Sequence, residues 1–285
     1  MRKQTIGVIG KGFVGGAVSE GFETFAKVKC YDIDPLRTTH NFEEVVNCDF
    51  VFICLPTPMV SAEGGETNMS IMNSFFERVA PIAQKNKSIY VIKSTVPIGT
   101  TEKLSSRYNI KHLIHNPEFL RERCALADFL NPHRNIVGGS DTKSVNKLAE
   151  FLQKVFPDVQ CYRMQSGESE SVKYFANSFL ATKVIFFNEM YLLVKKLGLD
   201  WDNVIKGIIT DNRIGQSHYN VPGPDGNLGF GGTCFPKDIN SLINTFEINN
   251  LCADILKAVW NKNKELRQDW DWERFSSAVQ EKEIK

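Results

Sequence analysis

The stretch Thr5-Ile-Gly-Val-Ile9-Gly10-Lys-Gly12-Phe-Val-Gly15 runs from a short apolar segment straight into a glycine-spaced turn. Thr5–Ile9 reads as a strand, and the pattern from Phe13 to Thr24 reads as a helix. Glycines spaced G-x-G-x-x-G between a strand and a helix form a dinucleotide-binding fingerprint. Gly10 would make the tight turn, Gly12 would admit a pyrophosphate, and Gly15 would let helix and strand pack closely. The helix start at Phe13 and Val14 offers amide donors for phosphates. Asp32 follows the second predicted strand, Val28–Tyr31, and lies 17 residues past Gly15. A carboxylate there accepts from ribose hydroxyls and repels a 2′-phosphate, so NAD is expected over NADP. Arg37 is close enough to oppose that preference.

Outward from this stretch, short apolar runs alternate with helical patterns. Phe50–Leu55, Ser88–Ile92, Lys111–Ile114, Asn135–Val137 and Val159–Tyr162 read as further strands. The helical segments are Phe42–Asn47, capped by Asn41, then Met69–Gln84, Thr100–Arg107 and Lys143–Lys154. Such alternation implies right-handed crossovers and an α/β fold, a Rossmann-like doubly wound parallel sheet. From Ser166 onward only helices are expected: Ser169–Leu197, Trp201–Ile209, one from Lys237 and one over Ala253–Arg267. Two domains follow, 1–165 and an all-helical 166–285. The loop 220–232 holds five glycines and two prolines, which excludes regular structure there. The charged tail after Asn261 carries Trp270, Trp272 and Phe275, and reads either as a solvated helix or as a docking segment.

The 285 residues include 34 basic and 33 acidic side chains, so no global field favours nucleic acid or an anionic membrane. Hydrophobic content of 42% and charged content of 24% are those of a globular protein. Seven cysteines, odd in number, scattered and without a CxxC pair, argue for reduced thiols and against a disulfide framework or a zinc site. No metal is expected. The start of the chain has no signal-peptide core, and the longest apolar region, Phe179–Val194, is broken by Lys183, Asn188 and Glu189. A cytoplasmic location and no membrane are the expectation.

Candidate chemistry concentrates in four places. Gly229-Phe-Gly-Gly-Thr-Cys234-Phe-Pro-Lys-Asp238 puts a cysteine after a glycine loop, where a helix begins. The positive end of a helix dipole favours a thiolate, and Asp238 falls on the same helical face. The alternative is a small buried hydrophobe after a turn. Lys173 and Asn177 are four apart on a helix, where a solvated face is the alternative. Glu118 and Glu122 are also four apart, with an ordinary surface acid as the alternative. Thr95, in Lys93-Ser94-Thr95, ends a strand, where open α/β sheets bind ligands and where a helix cap is also at home.

Together these segments resemble the UDP-glucose/GDP-mannose dehydrogenase family of nucleotide-sugar dehydrogenases. The resemblance rests on the fingerprint, Leu55-Pro-Thr-Pro58, Lys93-Ser-Thr-Val-Pro97, Asn116-Pro-Glu-Phe-Leu120, Lys173-x-x-x-Asn177, Arg213-Ile-Gly215 and Gly229–Asp238. It implies NAD-dependent, two-step oxidation of the sugar C6, taking UDP-glucose to UDP-glucuronate through a thiohemiacetal and a thioester on Cys234. It implies that Lys173 and Asn177 stabilise the oxyanion, and that Asp238 positions water. Glu118 would be the general acid/base, with Glu122 and Thr95 acting through water. Pro56, Thr57, Thr95 and Glu122 would join Gly10, Gly12, Gly15, Asp32 and Arg37 around NAD. Phe119, Leu120, Gly231 and Arg213 would join Glu118, Lys173, Asn177 and Cys234 around a small-molecule nucleotide sugar. A homodimer through the central helices is implied, with Arg213 reaching a neighbouring subunit's site. So is a third, UDP-binding domain absent from these residues, whose part the remaining two domains, the dimer partner or a separate chain would take. Two alternatives stay open: a β-hydroxyacid-type dehydrogenase, and a non-catalytic NAD-binding remnant.

Overall fold

The computed structural model describes residues 3–280. By compactness the chain divides into Met1–Thr57 with Met69–Lys173, and Pro58–Asn68 with Tyr174–Lys285.

The first unit is built on strands β1 (Thr5–Ile9), β2 (Lys27–Tyr31), β3 (Phe50–Ile53), β4 (Ile89–Ile92), β5 (Leu113–His115), β6 (Asn135–Gly138) and β7 (Cys161–Met164). They form one sheet in the order β2-β1-β3-β4-β5-β6-β7. Successive residues of a strand face opposite ways, so each strand feeds two cores. Ile6, Val8, Phe52 and Val91 pack on one face against α1 (Phe13–Phe22), α5 (Ala125–Leu130) and α6 (Thr142–Val155). Ile9, Val51, Ile53 and Ile92 pack on the other face against α2 (Phe42–Val46), α3 (Ser70–Ala83) and α4 (Thr100–Tyr108). Asn41 caps α2 in a full capping box with Glu44. Fully buried strands of this kind read as continuous apolar runs, which is why the sequence reveals them.

The sheet is not wholly parallel. β1 to β5 run together, but β6 pairs antiparallel to β5 through a single bridge, His115↔Gly138, and β7 runs with β6. The last two strands are therefore reversed. The connection from β5 to β6 contains only a 3-10 turn, Glu122–Cys124, and α5, six residues that are too short to announce a periodicity. α5 packs back on α1, where Phe129 meets Phe22 edge-on at 5.0 Å between ring centroids.

The second unit is helical: the rest of α7 (Ser166–Lys196) from Tyr174, then α8 (Trp201–Ile208), α9 (Phe235–Ile248) and α10 (Asp254–Leu266). α9 starts two residues before the expected Lys237, because Pro236 in its first turn favours helical entry. Among the described residues no helix is long and apolar enough to cross a membrane. The tail is not a solvated helix. After α10 the chain folds back as a 3-10 turn, Asp271–Arg274. Trp272 is fully buried there, 5.4 Å from Trp260 and stacked on Trp270 at the same distance. Its indole N–H donates to Ala62 O at 3.1 Å, and Trp260 donates to Glu63 O at 2.9 Å. Met59 N and Ala278 O close the arrangement at 2.7 Å. The tail thus covers Pro58–Asn68, the segment that leaves the first unit for the second.

Trp272→Ala is expected to destabilise the second unit by about 3–5 kcal/mol, the usual cost of deleting a buried tryptophan. Denaturant unfolding of the variant checks this; a change under about 1 kcal/mol contradicts the docking described.

Candidate active site

The carboxyl ends of β1, β3, β4 and β5 form the crevice where open α/β sheets bind ligands. Gly10 follows β1 with φ +84°, and a Cβ on it would lie 2.7 Å from Cys54 O. A Cβ on Gly15 would lie 1.9 Å from Gly10 O, so α1 approaches β1 only because position 15 is glycine. A Cβ on Gly12 would meet nothing within 4 Å, which leaves open space above the start of α1. No side chain caps α1. Its first-turn amides, those of Phe13 and Val14 among them, are therefore available to an anion. One oxygen of Asp32 accepts from Lys11 N, the other from Asp34 N at 2.9 Å. A carboxylate has about four acceptor sites, so this one keeps room for two ribose hydroxyls. Arg37 lies against the Asp34 carboxylate at 3.3 Å. The open cradle, the uncapped amides and the fixed carboxylate fit a dinucleotide.

Side chains lock the neighbouring strand ends. Thr57 Oγ1, after Pro56, donates to Thr95 O at 2.7 Å, and Ser94 Oγ donates to Leu55 O at 2.6 Å. The buried Lys93 ammonium donates to Asn116 Oδ1 at 2.8 Å and Pro117 O at 3.2 Å. Burial pushes its pKa down to about 8. Asn116 in turn donates to Ile136 O at 2.6 Å. Glu118 comes next and is 5% exposed; it accepts from Lys173 Nζ at 2.6 Å and from Leu120 N at 2.7 Å. Lys173 is 2% exposed. Two buried charges of this kind are tolerable only because they are paired and hydrogen-bonded. Arg121 grips Asp128 with two donors, at 3.0 and 2.6 Å, fixing the loop that leads to Glu122 at the start of a 3-10 turn. Thus Glu118, Phe119, Leu120 and Lys173 come together, and Thr95 is tied to Thr57.

Beneath them lies His115, fully buried. Ser169 Oγ donates to Ser166 O at 2.8 Å, so its 2.7 Å contact with His115 Nδ1 places the imidazole hydrogen on Nδ1. Nε2 is then a buried lone pair without a partner. Burial, aided by the Lys93 charge, pushes the His115 pKa down to about 3.

In the second unit Cys234 is half-buried and occupies the N-cap position of α9. Asp238, one turn on and 1% exposed, accepts from Asn177 Nδ2 at 2.6 Å and pairs with Lys237. Arg213 is on the surface and binds Asp211 at 2.6 Å. Lys183 donates to Ile214 O and Gly215 O at 2.8 and 3.2 Å, holding that turn.

The groups that shape the cysteine loop were not anticipated. Asn188 accepts from Gly229 N at 3.0 Å. Asn263 is fully buried, accepting from Phe230 N at 2.7 Å and donating to Phe230 O at 3.0 Å. Arg267 pairs with Asp225 at 2.6 Å and Asp271 at 3.1 Å, and Asp271 accepts from Gly232 N. The four-residue spacing of Asn263, Arg267 and Asp271 was the one available signal. It resembles any polar helix face.

Residues 28–157 match the family model described as UDP-glucose/GDP-mannose dehydrogenase family, NAD binding domain. Residues 167–265 match that of the same family's central domain. The chain belongs to the UDP-glucose/GDP-mannose dehydrogenase family, and its first unit carries the family's NAD-binding domain. A UDP-glucose 6-dehydrogenase from Rickettsia conorii is 38% identical over 81% of this chain and 53% of the relative. One from Campylobacter jejuni is 37% identical over 82% and 57%. The chain spans about half the length of the curated relatives it matches. The solved UDP-glucose dehydrogenase of Pyrobaculum islandicum superposes with TM-score 0.83 at 31% identity, covering 93% of this chain and 68% of that one. A Mycobacterium tuberculosis 3-hydroxyisobutyrate dehydrogenase, 19% identical, covers 94% and 95% with TM-score 0.72 and shares the fold.

His115 yields an acid-side prediction. Its folded pKa lies below the unfolded value of about 6.5, so below pH 6.5 the unfolded chain takes up a proton that the folded chain refuses. Stability is thereby lost as pH falls toward 3. Between pH 7 and pH 5 this group should cost about 2 kcal/mol. In urea unfolding at the two pH values, His115→Asn should lose less than the parent; equal losses would refute the assignment.

Proposed function

We propose that the chain is the cofactor and cysteine core of an NAD-dependent nucleotide-sugar dehydrogenase, oxidising UDP-glucose at C6 to UDP-glucuronate. The observation that carries this reading is Cys234 at the N-cap of α9, in a pinned glycine loop, with Asp238 one turn on and bonded to Asn177. The relatives named UDP-glucose 6-dehydrogenase support the substrate. In this reading the first unit is the cofactor half and the second the cysteine half.

The glycine loop holds the cofactor pyrophosphate, Asp32 its ribose, and Pro56, Thr57 and Thr95 line its path. NAD, when bound, supplies the hydride acceptor for both oxidations. The chain's own residues do the rest. Glu118 takes the hydroxyl proton in the first oxidation. The Cys234 thiolate adds to the aldehyde carbon, giving a thiohemiacetal; its oxidation leaves a thioester, and water then releases the carboxylate and the thiol. A thiol is needed because it keeps the carbon attached between the two oxidations. Lys173, held against Glu118, and Asn177, four residues on, stabilise the oxyanion. Asp238 orients the hydrolytic water, and Thr95 and Glu122 support Glu118 through water. Phe119, Leu120 and Gly231 hold the sugar, and Arg213 serves a neighbouring copy.

The copy itself is suggested by α7. Phe175, Phe179, Phe186 and Leu193 are each more than half exposed and recur at spacings of four and seven, and Leu197, just past the helix end, continues the row. A helix face this apolar wants a cover, and a second α7 is the natural one.

Purified chain with NAD and UDP-glucose should release two NADH per sugar. Cys234→Ser should lose acid formation by on the order of 10³-fold or more. Full activity of that variant, or a preference for NADP, would sink the corresponding assignment. Light scattering should give a dimer for the parent and a monomer for Phe179→Asp combined with Leu193→Asp. A parent that stays monomeric at micromolar concentration overturns the dimer.

A further inference from the structure

The reversal of β6 has a chemical consequence. His115 pairs with Gly138. Continuing that antiparallel register four residues along brings Phe119 opposite Arg134, the residue just before β6. There the Arg134 guanidinium lies 4.0 Å from the Phe119 ring centroid. Lys173 Nζ approaches the same ring at 5.6 Å. Two cations therefore approach one aromatic ring. Only one of them is neutralised: Lys173 meets Glu118, whereas Arg134 makes no hydrogen bond or ion pair among the described residues. Arg121, nearby in the chain, shows the contrast with its two-donor grip on Asp128.

A guanidinium stacked on a ring is held in orientation while its edge keeps five donors facing outward. That planar fork matches two phosphate oxygens, and the carboxyl ends of the strands are where ligands sit. We propose that Arg134 recognises a diphosphate, that of the nucleotide-sugar substrate, a role that rests on the nucleotide-sugar reading above. The dinucleotide's own pyrophosphate is the other source of this chemistry. It belongs above Gly12 at the end of β1, and β5 stands three strands away, about 14 Å at the usual strand spacing. The surplus charge beside Glu118 and Phe119 therefore answers to the substrate. Phe119 acquires a second task, as the platform that fixes the arginine.

Isothermal titration of the whole chain with UDP, uridine and NAD tests this. Arg134→Met should weaken UDP about 10- to 100-fold, the usual worth of charged hydrogen bonds, and leave uridine and NAD within twofold. Arg134→Lys, which keeps the charge and loses the fork, should fall between. Unchanged NAD affinity also certifies that the first unit is folded. Equal weakening of UDP and uridine would mean that Arg134 only orders Phe119, and would overturn the proposal. A loss confined to NAD would assign the arginine to the cofactor and overturn it too, as would unchanged UDP affinity. If the parent chain binds NAD but not UDP, these residues do not themselves recognise the diphosphate and the role of Arg134 is overturned, while the nucleotide-sugar reading is judged separately by NADH release with UDP-glucose.

Discussion

Side-chain hydrogen bonds that run across the carboxyl ends of β3, β4 and β5 and on to the reversed β6 are what the ligand crevice depends on. Beyond the last ladder bond of each strand, backbone groups have no regular partner and must find one. Thr57, Ser94, Lys93 and Asn116 supply it, passing the link from one strand to the next as far as Ile136 O. Lys93 is the costly member, a buried ammonium whose pKa falls toward neutrality. It stands where the ladder fails, since β5 and β6 share a single bridge. The turn that it holds delivers Glu118 to Lys173, and Phe119 to Arg134.

The second unit solves the same problem by other means. The loop 220–232 has no secondary structure to satisfy its amides. Asn188, Asn263 and Asp271 satisfy those of Gly229, Phe230 and Gly232 instead. Asn263 pairs with both polar groups of Phe230, as a neighbouring strand would. The cysteine is thereby placed by residues from α7, α10 and the tail, and not by the glycines alone. Glycines make the loop possible; the polar side chains behind it choose one conformation from the many that glycine allows.

The cofactor half and the cysteine half differ in how openly they declare themselves. Gly10, Gly12, Gly15 and Asp32 act through local spacing, so the glycine turn could be read from the chain, and Gly10 has the positive φ and Gly15 the close contact that such a turn needs. Glu118, Lys173, Asn177 and Asp238 were singled out by spacing and given roles by resemblance to a family; the pairings of Glu118 with Lys173 and Asn177 with Asp238, at 2.6 Å, came from the fold. Lys93, Asn263, Arg267 and Arg134 gave no usable signal, since a lysine in a strand or an asparagine on a helix is ordinary.

The sequence by itself determined the elements, because buried parallel strands and amphipathic helices write their periodicity into consecutive residues. It also determined the glycine turn, because no other residue tolerates Gly10's φ or Gly15's contact with the Gly10 carbonyl. Tertiary structure decided the reversal of β6, the transfer of Pro58–Asn68 to the second unit, and the burial of Trp272 beneath a tail that read equally well as solvated. Each of these turns on which distant segment satisfies a hydrogen bond or covers an apolar face. That choice depends on pairings between residues far apart in the chain, as with Trp272 and Ala62, and no local pattern encodes them.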